Sequence, residues 1–536
     1  MKKQIKCSLK PYIQPFERKL ALAELSTLTD SNLKLQKAKK SVALGFTVVT
    51  TESAELLSKR LVYWEYVSGE KKYFTTQVQR EATVNIVRNG IPIEQIAKLV
   101  PFNGEIPLPN RRCLRYGTHG IHEYRGKFFP QLVRALMNIA GVYENKIVAD
   151  PMSGSGTAIV EAVLGGCHGL GLDINPLSVL IGQTKCSLLS IKPEDLATAY
   201  EDVRQKLLST SRAQSSIKLK YFSSLPTKDR EYLSGWFSEQ VLRDLDQIAS
   251  IVHSLKGVPI RDFMRLSLSN IIRKVSWQKE DDLRVRKEIK ANEDIDPIKE
   301  FLEELGRSVR TVLAFLYQNQ RPTGLYDIRE GDARGITKHW NKWLGKVDIV
   351  ITSPPYATAL PYLDTDRLSL CYLGLLPRSE YRGRDRKMIG NREITERERQ
   401  YYLSLFQEKQ SILPDSVIKL ISKIEQLNSK IEVGFRRRNL PALLSKYFFD
   451  IREVFEGITN LLKPGAPAFI IVGDNHTIAG GQRVTIETSK LLVDVAATVG
   501  LELKEVIPME MLSSRDIFKN NAVSTEAILS FRNTIQ

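Results

Sequence analysis

Three aspartates close apolar runs in this chain: Asp150 in ADPMSGSGTAIVEA, Asp173 in GLDINP and Asp332 in EGDA. Between the first two lies a turn made of Gly154, Ser155 and Gly156, placed to open a helix. Glycines let backbone approach a ligand closely, and a helix N-terminus offers unpaired N–H groups. The spacing is neither GxGxxG nor GxxxxGK[ST], because no lysine follows Gly156, so a phosphate cradle is disfavoured. A ligand carrying a carboxylate suits the turn better. An acid at the end of the second strand can accept hydrogen bonds from ribose hydroxyls, and Asp332 stands where a strand end could meet an adenine amino group. Singly, each acid is more often a turn residue or helix cap. Together, around one glycine turn, they point to a nucleoside ligand. A second constellation is Thr352-Ser353-Pro354-Pro355-Tyr356, which ends the apolar run VDIVI. Prolines stop a sheet ladder, which accounts for the turn but not for the hydroxyl and the ring beside it.

The elements that must hold these residues are alternating strands and helices. KIVAD reads as a buried strand, GTAIVEAVLGG as a helix, HGLGLDI as a second strand and PLSVLIGQTKC as a second helix, the opening of a parallel α/β sheet. Helix-period apolar positions then run to Asn319, in EDLATAYEDVRQKLL, EQVLRDLDQIASIVHSL and IKEFLEELGRSVRTVLAFLY, and read as a helical insertion. Strands return with GLYDIREGDA and KVDIVITSPPY. A polar stretch from Glu396 predicts a helical hairpin broken near Pro414. The helix YFFDIREVFEGITNLLKPGA, the strand PAFIIVGDN, the helix IETSKLLVDVAATVG and the pair LELKEVIPM and AVSTEAILSFR complete the sheet. The expected organisation is a mostly helical lobe over 1–115, with helices around Glu17 to Lys40 and Thr75 to Leu99 and turns near Asn103-Gly104. A cofactor-binding half follows over 116–190, the helical insertion over 191–325 and a catalytic half over 326–375. A basic helical insertion over 376–445 is the candidate target-recognition region, and 446–536 is the rest of the sheet.

With 536 residues, the chain exceeds what one hydrophobic core serves. Its net charge of +17 favours a polyanionic partner. Basic residues concentrate in EYRGRDRKMIGNRE from Glu380, GFRRRN from Gly434 and DLRVRKEIK from Asp282. The five cysteines, Cys7, Cys113, Cys167, Cys186 and Cys371, form no CxxC pair, so neither a disulfide framework nor a zinc site is expected. His119 and His122 lack a Cys or carboxylate cluster, and no metal is expected. No run approaches the ~18 apolar residues of a membrane span. The start, MKKQIKCSLKPYIQPFERK, has no apolar core after its basic residues, and a cytoplasmic location is expected.

In this order, DPMSGSGT, DINP, GDA and TSPPY resemble the motifs of the S-adenosylmethionine-dependent amino-methyltransferases of DNA. HEYRGKFFPQLVRALM resembles the family's helix before the glycine loop, with Lys127, Phe129 and Pro130 matching its Lys-x-x-Pro-type core. The matched stretches are 119–185, 326–372 and 446–532. The resemblance implies a Rossmann-like class I methyltransferase sheet, here with helical insertions and an N-terminal helical lobe. It implies S-adenosylmethionine as cofactor, bound by Phe129, Asp150, Met152, Ser153, Gly154, Ser155, Gly156, Thr157, Asp173, Ile174, Asp332, Ala333 and Thr352. It implies Ser353, Pro354, Pro355 and Tyr356 as the catalytic set, the serine hydroxyl and the Pro354 carbonyl accepting from a base amine and Tyr356 stacking on the base. A serine first in the tetrapeptide implies the N4 amine of cytosine in duplex DNA, with a restriction nuclease or defence system as partner. Two features depart from the pattern: many N4-cytosine enzymes carry the two motifs in reverse order, and the insertion after the second strand is unusual. An N6-adenine DNA enzyme is the first alternative. An RNA guanine-N2 enzyme is the second, since DPMSGSGT followed by IVEA resembles those as well. A non-catalytic DNA-binding subunit is a third, disfavoured by the intact loop and tetrapeptide.

Overall fold

Seven strands make the central sheet: β1 (Ile147–Asp150), β2 (His168–Asp173), β3 (Leu325–Glu330), β4 (Ile349–Thr352), β5 (Pro467–Gly473), β6 (Leu501–Glu510) and β7 (Thr525–Asn533). Their spatial order is 6-7-5-4-1-2-3. β1 pairs in parallel with β2 (Val148 opposite Gly169) and with β4 (Val148 opposite Ile349), while β7 runs antiparallel between β5 and β6. The sheet is open, Rossmann-like and mostly parallel, the α/β arrangement that the alternating strands and helices predict. The computed structural model describes every residue except 1, 32–43, 89, 103–104, 125, 127–128, 210–218, 280–285, 290–294, 358–361, 430–431, 511–524 and 536. The Asn103-Gly104 turn and Lys127 therefore lie outside the described residues, as does part of DLRVRKEIK.

β1, β4 and β5 are continuous apolar runs because both faces of the sheet are covered. On one face Val148, Ile351, Ile471 and Ile528 pack with Leu132 and Leu136 of α1 (Pro130–Ile139) and with the N-terminal lobe. α2 (Thr157–Leu164) and α3 (Pro176–Leu188) carry the chain between β1, β2 and β3. On the other face Val350, Ile470 and Leu529 meet Tyr447, Ile451 and Ile458 of α5 (Phe435–Leu461). Ahead of α5 in the chain, α4 (Arg378–Lys387) docks beside β3. The chain runs from β1 out to β3 and returns to β4 on the other side of β1. The crevice at the carboxyl ends of β1 and β4 is thus the point where strand order reverses, where open α/β sheets bind ligands.

The segment between α3 and β3 forms its own helical core, in which Phe263, Leu266, Phe301, Val309 and Leu313 pack against Leu177 and Ile181 of α3. The predicted hairpin after Glu396 consists of helices Glu396–Lys409 and Asp415–Ser429. Among the described residues no helix is long and apolar enough to cross a membrane.

Two expectations need correction. The first 115 residues hold, besides helices such as Pro15–Thr29 and Thr76–Val87, a four-stranded antiparallel sheet of Lys3–Leu9, Gly45–Thr50, Trp64–Ser68 and Lys72–Phe74. Its signal was a period of two: Ile5, Cys7 and Leu9 are buried while Gln4 and Lys6 are exposed. The boundary drawn at residue 445 falls inside α5, which stays helical past Pro441. A buried stripe of Leu440, Leu444, Tyr447, Ile451 and Val454 runs across that proline, so tertiary packing outweighs the lost backbone hydrogen bond.

Candidate active site

The two motifs meet at the reversal point. The Thr352 hydroxyl, last residue of β4, donates to Asp150 Oδ1 at 2.6 Å, joining the end of β4 to the end of β1. Asp150 Oδ1 also accepts from the Met152 N–H at 3.1 Å, which turns the chain into the glycine loop. Asp150 is fully buried, and burial pushes its carboxyl up to about 7, against the hydrogen bonds from Thr352 and Met152.

The loop is pinned from three directions. Gly154 N–H donates to Asp173 Oδ2 at 2.8 Å, Ser153 N–H to the Leu172 carbonyl at 2.9 Å, and the buried Lys185 ammonium of α3 to the Ser155 carbonyl at 2.8 Å. Gly154 and Gly156 take φ of 48° and 75°, a region that favours glycine. Asp173 Oδ1 accepts from the Asn175 N–H at 2.9 Å, so one carboxylate ties the glycine loop to the turn after β2. Burial pushes this carboxyl up to about 6, opposed by those backbone donors. Asn175 in turn caps α3 through Leu177 N–H and donates to Asp366.

Asp332, after β3, is engaged from the side. Arg334 donates to both of its carboxylate oxygens and to Asp450 of α5, and a further guanidinium bond reaches the Lys387 carbonyl. Burial would raise the Asp332 carboxyl, but Arg334 outweighs it and holds it below the ordinary value. At the end of α4, Arg384 pairs with Glu330 and donates to the Ile174 carbonyl at 2.8 Å. The 376–445 segment therefore builds part of the site wall, which no motif announced.

These elements enclose a cavity of about 370 Å³. Its wall includes Phe129, Met152, Gly154, Asp173, Ile174, Asp332 and Ala333 of the expected cofactor set, and all of Ser353, Pro354, Pro355 and Tyr356. Asp150, Ser153, Ser155, Gly156, Thr157 and Thr352 do not line it. They lie buried beneath the floor, where their hydrogen bonds and close packing shape the loop, so they support the cavity instead of forming its surface. Reasoning from motifs missed other parts of the wall, among them Tyr124, Lys387, Met388, Ile389, Met509 and Glu526. Only Glu526 carried a signal, an acid at an inward position of a strand.

The tetrapeptide is held on both sides. The buried Tyr447 of α5 donates to the Pro355 carbonyl at 3.0 Å, and the Tyr356 hydroxyl donates to Glu526 Oε1 at 2.7 Å. Beyond the tetrapeptide, Arg367 forms an ion pair with Asp364.

Residues 122–172 match a family model described as the RMKL-like methyltransferase domain of UPF0020, a stretch that includes β1 and the glycine loop. Among curated proteins, the chain is 26% identical over 380 residues to the type II methyltransferase M.MvaI of Kocuria varians, covering 67% of this chain and 77% of that one. It is 24% identical over 415 residues to the type II methyltransferase M.BsoBI of Geobacillus stearothermophilus, covering 69% and 78%. The solved rRNA methyltransferase aviRa of Streptomyces viridochromogenes overlaps 77% of this chain and 89% of its own at 9% identity, with a TM-score of 0.28, too low to bear on this chain.

Proposed function

We propose, from the premise that this chain belongs with the S-adenosylmethionine-dependent DNA methyltransferases, that it methylates the exocyclic N4 amine of a cytosine turned out of duplex DNA. The observation that carries this reading is the shared cavity. Along the sheet edge, Asp332 and Asp173 stand at β3 and β2 and the tetrapeptide follows β4, so a nucleoside and an acceptor set share one enclosure. We assign the 116–190 and 326–375 segments to these two halves.

The cofactor is S-adenosylmethionine, which when bound supplies an electrophilic methyl group. The residues suit it. Asp173 accepts from the Gly154, Asn175 and Ile174 N–H groups, three of the about four acceptor sites of a carboxylate, which leaves capacity for a ribose hydroxyl. Met152, Ile174, Ala333 and Phe129 add apolar wall.

An exocyclic amine is a weak nucleophile because its lone pair is delocalised into the base. Ser353 Oγ and the Pro354 carbonyl accept its two N–H groups, favour a pyramidal nitrogen and stabilise the positive charge that develops there. The proline ring fixes the direction of its carbonyl, and Tyr356 stacks on the extruded base. Arg382, Arg386, Lys387, Arg436 and Arg437 are exposed on the 376–445 segment, and Lys387 also lines the cavity. These exposed cations support assigning this segment to DNA binding and target recognition. The type II relatives support a place in restriction-modification, acting in the cytoplasm beside a cognate nuclease.

The reaction is tested by incubating the protein with methyl-labelled S-adenosylmethionine and duplex DNA, then digesting to nucleosides. Labelled N4-methylcytosine is expected. Label found only in N6-methyladenine, or only when RNA is the acceptor, overturns the assignment.

Cofactor binding should depend on pH through Asp173. Its carboxyl titrates at about 6 in the free protein, and the ribose hydroxyls require the carboxylate as acceptor. Below pH 6 binding must first expel a proton, so affinity should fall by up to about tenfold per pH unit. Calorimetry from pH 5 to pH 8 should show this slope in the native protein and lose it, with weaker binding throughout, in Asp173→Asn. A slope that survives the substitution assigns the proton elsewhere.

A further inference from the structure

Glu526 breaks the pattern of its own strand. Along β7, Ala527, Leu529 and Phe531 face one core, while Ile528 packs into the other with Ile351 and Ile471. Glu526 shares the face of Ile528 by strand alternation, and lines the cavity between Met509 of β6 and Ile471 of β5. A carboxyl set between Met509 and Ile471 is costly, and burial raises its proton affinity above the ordinary value. Departures of this kind, where local pattern and position disagree, concentrate at functional sites.

We propose that Glu526 is a positioning residue that pins the Tyr356 ring in place to receive the target base, an inference that rests on Tyr356 being the base platform. The bond from the Tyr356 hydroxyl to Glu526 Oε1, 2.7 Å long, crosses from the β4 turn to β7 past β5. The phenol oxygen lies on the axis about which the ring turns, so the bond fixes where the ring stands and leaves its spin free. The other end of the side chain is held by backbone, because two prolines precede it and Tyr447 grips the Pro355 carbonyl. A ring fixed at both ends gives up little freedom when a base settles on it, which is the advantage of a preorganised site.

The test compares the full chain with Tyr356→Phe, Glu526→Gln, Glu526→Ala and the double variant Tyr356→Phe/Glu526→Ala. Measurements are single-turnover methyl transfer to duplex DNA, cofactor affinity by calorimetry, and fluorescence of 2-aminopurine at the target position as a report of base stacking. Losing one hydrogen bond of this type should slow transfer about tenfold in Tyr356→Phe and in Glu526→Ala. The double variant should be no slower than either single one, since both remove the same bond. Glu526→Gln keeps an acceptor and should stay within about threefold of the native rate. Cofactor affinity should be unchanged in all, while 2-aminopurine emission rises wherever the bond is lost. Additive losses in the double variant, a Gln as slow as the Ala, or an equal fall in cofactor affinity overturns the positioning role. A native protein that transfers no methyl group to DNA in the same assay instead removes the premise about Tyr356.

Discussion

Tyr356→Ala is expected to slow methyl transfer about a hundredfold while leaving the cofactor dissociation constant within about twofold of the native value. The magnitude follows from base–aromatic stacking, worth about 1–3 kcal/mol per base on truncation to alanine. The selectivity follows from position. Tyr356 lies beyond the end of β4 and bonds to β7, on the side of the sheet away from Asp173 and Asp332. Removing the ring takes away the base platform and leaves the glycine loop, held by Asp173 and Lys185, untouched. Single-turnover kinetics and calorimetry on the same preparation check both halves. A matching loss of cofactor affinity would mean that the ring belongs to the cofactor's part of the cavity.

How far the site could be read from sequence depended on how local its causes are. The glycine loop was legible because positive φ at Gly154 and Gly156 restricts the residue type within a few positions. The strand-end acids were legible because a parallel strand ending in Asp places that side chain at the carboxyl edge of the sheet. What each acid touches was not. Asp150 bonds to Thr352, two hundred and two residues later, and that pairing exists only because β4 returns beside β1. Asp332 was read as an acceptor for an adenine amine, but it accepts from Arg334, whose guanidinium is itself held by Asp450 and the Lys387 carbonyl from two further segments.

The same reasoning explains the missed wall. Lys387, Met388 and Ile389 lie in a polar stretch with no strand or motif signal, and they reach the cavity because Arg384 anchors α4 to Glu330 and to the Ile174 carbonyl. The N-terminal sheet was missed for a different reason. Its strands are three to seven residues long, and the alternation in KQIKCSL is interleaved with lysines that lower its apparent hydrophobicity. Ile5, Cys7 and Leu9 nevertheless keep a strict period of two into the core.

Gly156→Ala is expected to be the most damaging single-methyl addition near the loop, and the reason can be separated into two parts. Its φ of 75° costs any L side chain about 1–2 kcal/mol. The new Cβ would also stand 2.8 Å from Gly182 Cα, backbone that cannot swing aside, so α2 and α3 must move apart. Overpacking of that kind adds about 1–3 kcal/mol. Gly141 supplies the comparison, because its φ of 66° imposes similar strain but nothing lies within 4 Å of an added Cβ. Urea denaturation should show a loss of about 2–5 kcal/mol for Gly156→Ala and about 1 kcal/mol for Gly141→Ala. Cofactor affinity should divide them further. The Ser153 carbonyl accepts from the Gly156 N–H, so displacing Gly156 shifts the loop that carries Gly154. Gly141, at the far end of α1, leaves that loop alone. Equal stability losses in the two variants would show that backbone strain, not the glycine-to-glycine contact of α2 with α3, is what demands glycine at 156.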